Sequence, residues 1–308
     1  MEFRSLLAII SSLFVFATST VNLLILAVIL SRRRPFYHSC FFYVIYMVGI
    51  FIDLTSLVSS HLLALVPSKG IFIDVFLSST TLGRIFLFFA WSTRACQGFT
   101  NFHIALNRVT AILSPFDHRK IWASTCVRGT CFLVQFGIGI TIGVWAAKSD
   151  VYWSQTSHKS WYIQFVDTRS THIFFRFVFG GISFLSTLTI VAYVVLLLHL
   201  RSQPVNSERH QRRGTRDGDM KNEQYMLHLA VCVCTLEILY YLMYSYAFVM
   251  NANFELDLET VYVWYFLVTD LYSGVPPFVL LIFSTPIRED VGRLLSRLLH
   301  RKRNTRTN

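Results

Sequence analysis

The sequence predicts an all-α membrane protein: a seven-transmembrane helix bundle with its N-terminus outside and an amphipathic juxtamembrane helix at its C-terminal end. Three observations carry this. Of 308 residues, 54% are hydrophobic and only 15% charged, with a mean hydropathy of +0.49, whereas soluble domains carry about 25% charged residues. The apolar residues gather into long blocks, beginning with 26 uncharged residues from Ser5 to Leu30, where a spanning helix needs about 20. The 28 Lys and Arg then divide by side: twenty in the segments placed inside, five in those placed outside, and three within spans. Since Lys and Arg concentrate on the cytoplasmic side, the N-terminus faces out.

Taken in order, the first block is too long for a signal-peptide core and has no small-residue cleavage site before Arg32-Arg33-Arg34, so it reads as a first span over 5–30. Further spans are expected at 36–66, 82–112, 126–147, 171–200, 225–250 and 260–284, completing a transmembrane domain over 1–286. The sixth and seventh are bracketed by Lys221 and Arg288, with 66 residues between them free of Lys and Arg. Arg84, Arg94 and Arg176 fall inside the third and fifth, Arg84 near enough to the outer end to snorkel. Only Pro276-Pro277 is expected to interrupt a span. The connection 201–224 mixes six basic with four acidic residues around Pro204, Gly214 and Gly218, and reads as solvated and flexible. Beyond the last span, Ile287, Val291, Leu294, Leu295, Leu298 and Leu299 recur at helical spacing among Arg288, Arg293 and Arg297. That pattern predicts an amphipathic helix over 287–300 lying on the inner-leaflet lipids, then a disordered basic tail over 301–308.

These features exclude several functions. The net charge of +11 sits in short runs between apolar blocks, so it reports membrane topology and no nucleic-acid partner. None of the six cysteines falls in a predicted outer loop, and no Cys/His cluster has metal-ligand spacing, so neither disulfide, metal nor cofactor is expected. No HExxH or GxSxG is present. His103 and His228 stand alone and read as histidines satisfied within the bundle. No enzyme is expected.

At the inner end of the third span stands Asn107-Arg108-Val109-Thr110-Ala111-Ile112-Leu113-Ser114-Pro115-Phe116. It resembles the G-protein-coupled receptor signature Asp/Asn-Arg-Tyr/Phe-x-Ala-Ile-x-x-Pro-Leu/Phe. Pro35-Phe36-Tyr37, Asp53, Cys96-Gln97-Gly98 and Lys120-Ile121-Trp122 are further similar to the nematode serpentine chemoreceptors of the Srg group, classes gamma and V, over roughly residues 30–125. The resemblance implies a receptor in the plasma membrane of a chemosensory neuron. It would bind a small extracellular ligand and activate a heterotrimeric G protein through Asn107, Arg108, Pro115 and Phe116. Three departures separate the chain from the rhodopsin-like pattern: no cysteine in the 148–170 loop, no proline in span six, and Pro276-Pro277-Phe278 where Asn-Pro-x-x-Tyr would stand. Arg108 has a physical use in such a receptor, since guanidinium stays charged and offers five donors. The alternative is a plain positive-inside anchor.

Six ionisable residues lie at membrane depth: Asp53, Arg84, Arg94, Arg176, Glu237 and Asp270. Each costs roughly 2.5–3.5 kcal/mol on insertion scales, so pairing across the bundle is expected. By depth, Arg94 reaches Asp270 or Glu237. Arg176 finds no acid at its level, and is expected to face an outer ligand pocket with Trp91, Tyr244 and Tyr265. That cavity would favour a small, partly apolar ligand with a carboxylate or strong acceptor. Tyr240, Tyr241 and Tyr244 either line the pocket or pack against span five. A polytopic transporter or ligand-gated channel is the alternative function, but no internal repeat or polar pore stripe is visible.

Overall fold

A computed structural model describes residues 3–31, 40–155, 160–202, 231–243, 245–246 and 258–304. Helix α1 (Phe3–Leu30) is followed by α2 (Phe41–Ser60), which continues through a π-helical turn, His61–Leu65, and a last turn, Val66–Ser68. The short α3 (Ile73–Leu77) leads to α4 (Thr81–Leu113), then α5 (Pro115–Ala123) and α6 (Thr125–Lys148). An antiparallel hairpin, β1 (Val151–Gln155) and β2 (Trp161–Phe165), precedes α7 (Thr168–Ser202). Helices α8 (Val231–Met243), α9 (Leu258–Phe283) and α10 (Thr285–Asn304) complete the described chain.

Five of these helices, α1, α2, α6, α7 and α9, are long and apolar enough to cross a membrane by length and composition. Phe16, Leu133 and Phe184 project from them, 75%, 74% and 64% exposed; such side chains suit lipid, and water would reject them. At 33 residues, α4 is long enough as well, but it carries a polar stripe because it runs through the middle, against α2, α6 and α7. Its approach to α6 is the closest. A Cβ on Gly143 would stand 2.8 Å from the Phe88 carbonyl oxygen and 2.8 Å from Ser92 Cβ, and one on Gly139 would meet Cys96 Sγ. Fully buried Gln135 crosses the same seam, donating through Nε2 to the Cys96 carbonyl (3.1 Å) and to Thr100 Oγ1 (2.8 Å).

Two apolar clusters result. The inner one gathers Ile25, Ile29, Phe41, Ile45, Ile104, Trp122, Tyr193, Leu280 and Ile287. The outer one gathers Trp91, Val151, Ile163, Phe174, Val178, Tyr240 and Phe266. Polar side chains occupy the level between them.

The sequence differs from this architecture at several points. The stretch 148–170, which falls between two expected spans, contains a hairpin. Val-Tyr-Trp and Trp-Tyr-Ile are β-prone, and pairing them buries Val151, Tyr162 and Ile163 against the outer ends of the bundle. Ile163 sits where Gly83 leaves room, Trp153 meets Phe76 edge-on at 5.5 Å, and Arg84 Nη2 bonds Asp150 Oδ1 at 2.9 Å. Pro276 and Pro277 lie inside α9 without ending it; neighbouring helices make such prolines tolerable within a bundle. α10 continues through Arg301, Lys302 and Arg303 to Asn304, past the end expected at 300, because no Gly or Pro follows Gly292 to stop it.

All six cysteines are free. Millimolar reductant is therefore expected to leave the thermal unfolding midpoint unchanged, and denatured protein should react with six equivalents of maleimide before reduction. A midpoint that drops on reduction would reveal a bridge this fold does not contain.

Candidate functional site

Arg94, Gln97 and Asn101 recur at three- and four-residue spacing, on one face of α4. Gln97 Nε2 donates to Asp53 Oδ1 at 2.7 Å and to Ser273 Oγ at 2.8 Å, tying α4 to α2 and α9. Asn101 Nδ2 donates to Glu237 Oε1 at 2.8 Å and to the Tyr272 hydroxyl oxygen at 2.5 Å. Tyr272 in turn donates to Glu237, and Ser186 Oγ donates to Glu237 Oε2 at 2.7 Å. Arg94 Nη2 stands 3.9 Å from that same Oε2, with its guanidinium carbon 3.2 Å from the Tyr240 ring centroid and 4.0 Å from that of Tyr272. One carboxylate, 1% exposed, thus joins α4, α7, α8 and α9. A charge so buried persists only when paired and hydrogen-bonded, and Glu237 is both.

Of the ion pairs expected from charge counting, the structure forms the Arg94–Glu237 one and builds the others differently. Asp53 is met by Gln97, and Arg84 by Asp150 at the outer rim. Asp270 does not meet Arg94. It accepts from Ser11 of α1, with His61 Nδ1 at 3.9 Å. The π turn begins at His61, and such turns add a residue to the helical circuit and re-aim the side chains there. Ser11, His61 and Asp270 stand together, but Ser11 donates its hydrogen bond to the carboxylate while its oxygen lies 3.4 Å from His61 Nε2, and His61 Nδ1 is nearer the Leu57 carbonyl (3.1 Å) than Asp270 (3.9 Å).

The predicted pocket around Arg176 is not assembled. The buried stripe of α7 runs through Phe174, Val178, Ile182, Ser186 and Thr189, and Arg176 lies two residues, about 200°, away from it. It shares an exposed face with Ile173 and Phe177. Trp91 packs edge-on against Phe174 at 5.0 Å and Phe175 at 5.3 Å, as part of the outer core. Tyr265 is half-buried beside Phe266, and Tyr244 lies outside the described residues. Tyr240 packs under Arg94, while Tyr241 stacks on Phe179 at 6.0 Å. Because α7 is apolar around most of its circumference, its sequence gives little sign of which side is buried. Charge was the signal followed; the missed residues Asn101, Ser186, Tyr272 and Ser273 are uncharged and show only as polar interruptions in apolar runs.

At the inner end of α4, Asn107 is buried, and the Arg108 guanidinium lies 3.8 Å from the centroid of Phe42 on α2. The buried Arg108 Nε has no hydrogen-bond partner among the described residues. Pro115 opens α5, where its missing N–H costs nothing. Phe116 beside it is 88% exposed. α5 is fastened by Trp122, whose Nε1 donates to Thr110 Oγ1 at 2.8 Å and whose ring stacks on Phe41 at 4.9 Å. His118 Nδ1 joins the same Thr110 oxygen at 3.1 Å.

Partial burial, and then the nearby Arg108 charge, hold the His118 pKa below its ordinary value of 6.5. The folded state therefore binds this proton less readily than the unfolded one. The contribution is fully present above pH 6.5 and is lost as pH falls through 6.5 toward the lower folded value. Thermal midpoints measured from pH 7.5 to 5.5 are expected to fall less for His118→Asn than for the original chain; parallel curves would remove His118 from this role.

Among the described residues, no group of three His, Cys, Asp or Glu is placed to hold a metal ion. The site is one of buried helix-to-helix polar contacts above an exposed inner rim, which suits a receptor. Comparison with known proteins agrees. Over 295 residues, 91% of this chain and 84% of the relative, the sequence is 23% identical to serpentine receptor class gamma-14 of Caenorhabditis elegans. The family model for the serpentine type 7TM GPCR chemoreceptor Srv matches residues 11–297, taking in the α4 polar face, the Arg108 rim and most of α10. The chain is a multi-pass membrane protein and belongs to the Srv family of seven-transmembrane serpentine chemoreceptors.

Proposed function

We propose that this chemoreceptor stands in the plasma membrane of a chemosensory neuron, within the wider Srg group, and that it passes a small-molecule signal to a heterotrimeric G protein. In this reading the seven spans drawn over 1–286 have the N-terminus outside, and α10 lies along inner-leaflet lipid. The observation that carries the reading is the inner rim. Arg108 is held by the face of Phe42, with no acid bonded to its buried Nε among the described residues, and Phe116 projects 88% exposed on the adjoining α5. A cation–π contact at a partly desolvated site is worth about 1–2 kcal/mol. That is enough to hold Arg108 in the resting bundle and little enough to release it when α2 and α4 part. A freed guanidinium has donors for a partner's carbonyls, and Phe116 offers that partner an apolar contact.

The test is expression in cultured cells with tags before Ser5 and after Arg306, followed by a second-messenger assay against a panel of small odorants. The first tag should be reachable on intact cells and the second only after permeabilisation, with at least one odorant raising the messenger. Reversed accessibility would overturn the orientation. A transport current independent of G protein would favour the channel reading.

A further inference from the structure

Between α4, α6 and α7 lies a crevice of about 60 Å³, lined by Arg94, Gly98, Ile142, Phe177, Gly181 and Leu185 among others. It falls at one depth on both long helices. Arg94 is 13 residues from Thr81 and Gly181 is 13 residues from Thr168, or about 20 Å along each at 1.5 Å per residue. Its wall is polar on one side only. Arg94 is 4% exposed, whereas Phe177 is 63% exposed and Gly181 also lies on the outer surface of α7. The mouth therefore opens sideways, toward acyl chains. Gly181 stands at that mouth, and a Cβ there would meet nothing within 4 Å, so a larger side chain has room to enter the opening.

We propose that this crevice binds an apolar molecule carrying one uncharged acceptor oxygen (a ketone, ester or lactone), which enters from the bilayer. Volume and charge set that class. At roughly 30 Å³ per water, the space holds the two or three heavy atoms of a head group, so the rest of the ligand lies in the lipid-facing groove beside Phe177 and Leu185. Glu237 already balances Arg94 at 3.9 Å while accepting from Ser186, Asn101 and Tyr272. A ligand carboxylate would add a second negative charge beside Glu237 at full desolvation cost. An ammonium would meet the Arg94 charge directly. A carbonyl oxygen accepts from the guanidinium with neither penalty and partitions readily into the bilayer. This gives the ligand of the proposed receptor a class and a route, and it rests on that reading only for the step from occupancy to signal.

The probe is a ten-carbon methyl ketone carrying a diazirine and a terminal alkyne, irradiated with membranes that hold the full-length chain and then mapped by peptide. Labelling should concentrate on 94–98 and 177–185. It should fall at least tenfold in Gly181→Leu, which fills the crevice, and stay unchanged in Gly180→Leu. Gly180 is equally open and exposed but does not line the crevice. Excess unlabelled ketone should compete, while the carboxylic acid and amine of equal length should not. If Gly181→Leu fails to reach the membrane, Leu185→Ala decides instead, with labelling expected to rise at least twofold as the mouth widens. Equal labelling of Gly181→Leu and the original chain, no rise in Leu185→Ala, labelling spread over every exposed apolar face, or competition by the acid as strong as by the ketone would each overturn the proposal. None of these readings needs a G protein, so they separate a failed site from a failed receptor.

Discussion

Arg94→Ala is expected to be the most damaging single substitution in the bundle. It removes the positive partner of Glu237 and leaves a carboxylate 1% exposed inside the bundle. Breaking a buried pair by deleting one partner costs about 3–5 kcal/mol, comparable to much of a domain's net stability. Surface expression should collapse, and any recovered protein should unfold at a markedly lower temperature. The second half of the expectation is selective rescue. Glu237→Gln removes the stranded charge and retains an oxygen for Asn101 and Tyr272, so Arg94→Ala/Glu237→Gln should regain a large part of the loss. Asp270→Asn should rescue nothing, because Asp270 bonds Ser11 and lies near His61. Rescue by Asp270→Asn in place of Glu237→Gln would mean the acids have been assigned to the wrong neighbours.

Arg108 carries the second large effect, this time on signalling and not on folding. Its guanidinium packs on Phe42 at 3.8 Å with no carboxylate paired to it among the described residues, so its removal strands no charge. Arg108→Ala and Arg108→Glu should reach the cell surface at near-normal levels and bind ligand, yet lose agonist-driven G-protein activation by at least tenfold. Phe116→Ala should show a milder form of the same defect. Full signalling by both Arg108 variants at matched surface density would return the residue to a plain inner-leaflet anchor.

The sequence discloses apolar spans better than it discloses the site, for a physical reason. Lipid imposes one strong rule per helix, apolar length, and that rule leaves uncharged blocks such as Ser5–Leu30 that need no partner to be recognised. Which residues meet inside is a matter of rotation about each helix axis. Arg176 shows the difficulty: it was placed by depth alone, and a 200° turn put it outside. That Arg94 needs an acid, Asp270 or Glu237, was legible because a buried charge demands an opposite one; which of the two was not. The hydrogen bonds of Gln97 to Asp53 and of Asn101 to Glu237 were not legible either, since an amide makes no such demand. The hairpin over 151–165 was hidden for a third reason: its aromatic residues suit a membrane interface as well as they suit paired strands.

The glycine contacts between α4 and α6 bear on how such a bundle changes shape. With the Phe88 carbonyl and Ser92 filling the places of side chains at Gly143, and with Gln135 bonded across the seam, neither helix has room to roll on the other. Packed cores shift between discrete arrangements and do not deform continuously. The two helices are therefore expected to move as one unit, so that a change of shape would open or close its contacts with α2, α7, α8 and α9. Glu237 is one point at which α7, α8 and α9 all meet α4, beside the direct bonds of Gln97 to Ser273 and of Asn101 to Tyr272. A tilt of α7 that draws Ser186 away would take a donor from Glu237, and α8 and α9 would feel the loss at that shared carboxylate.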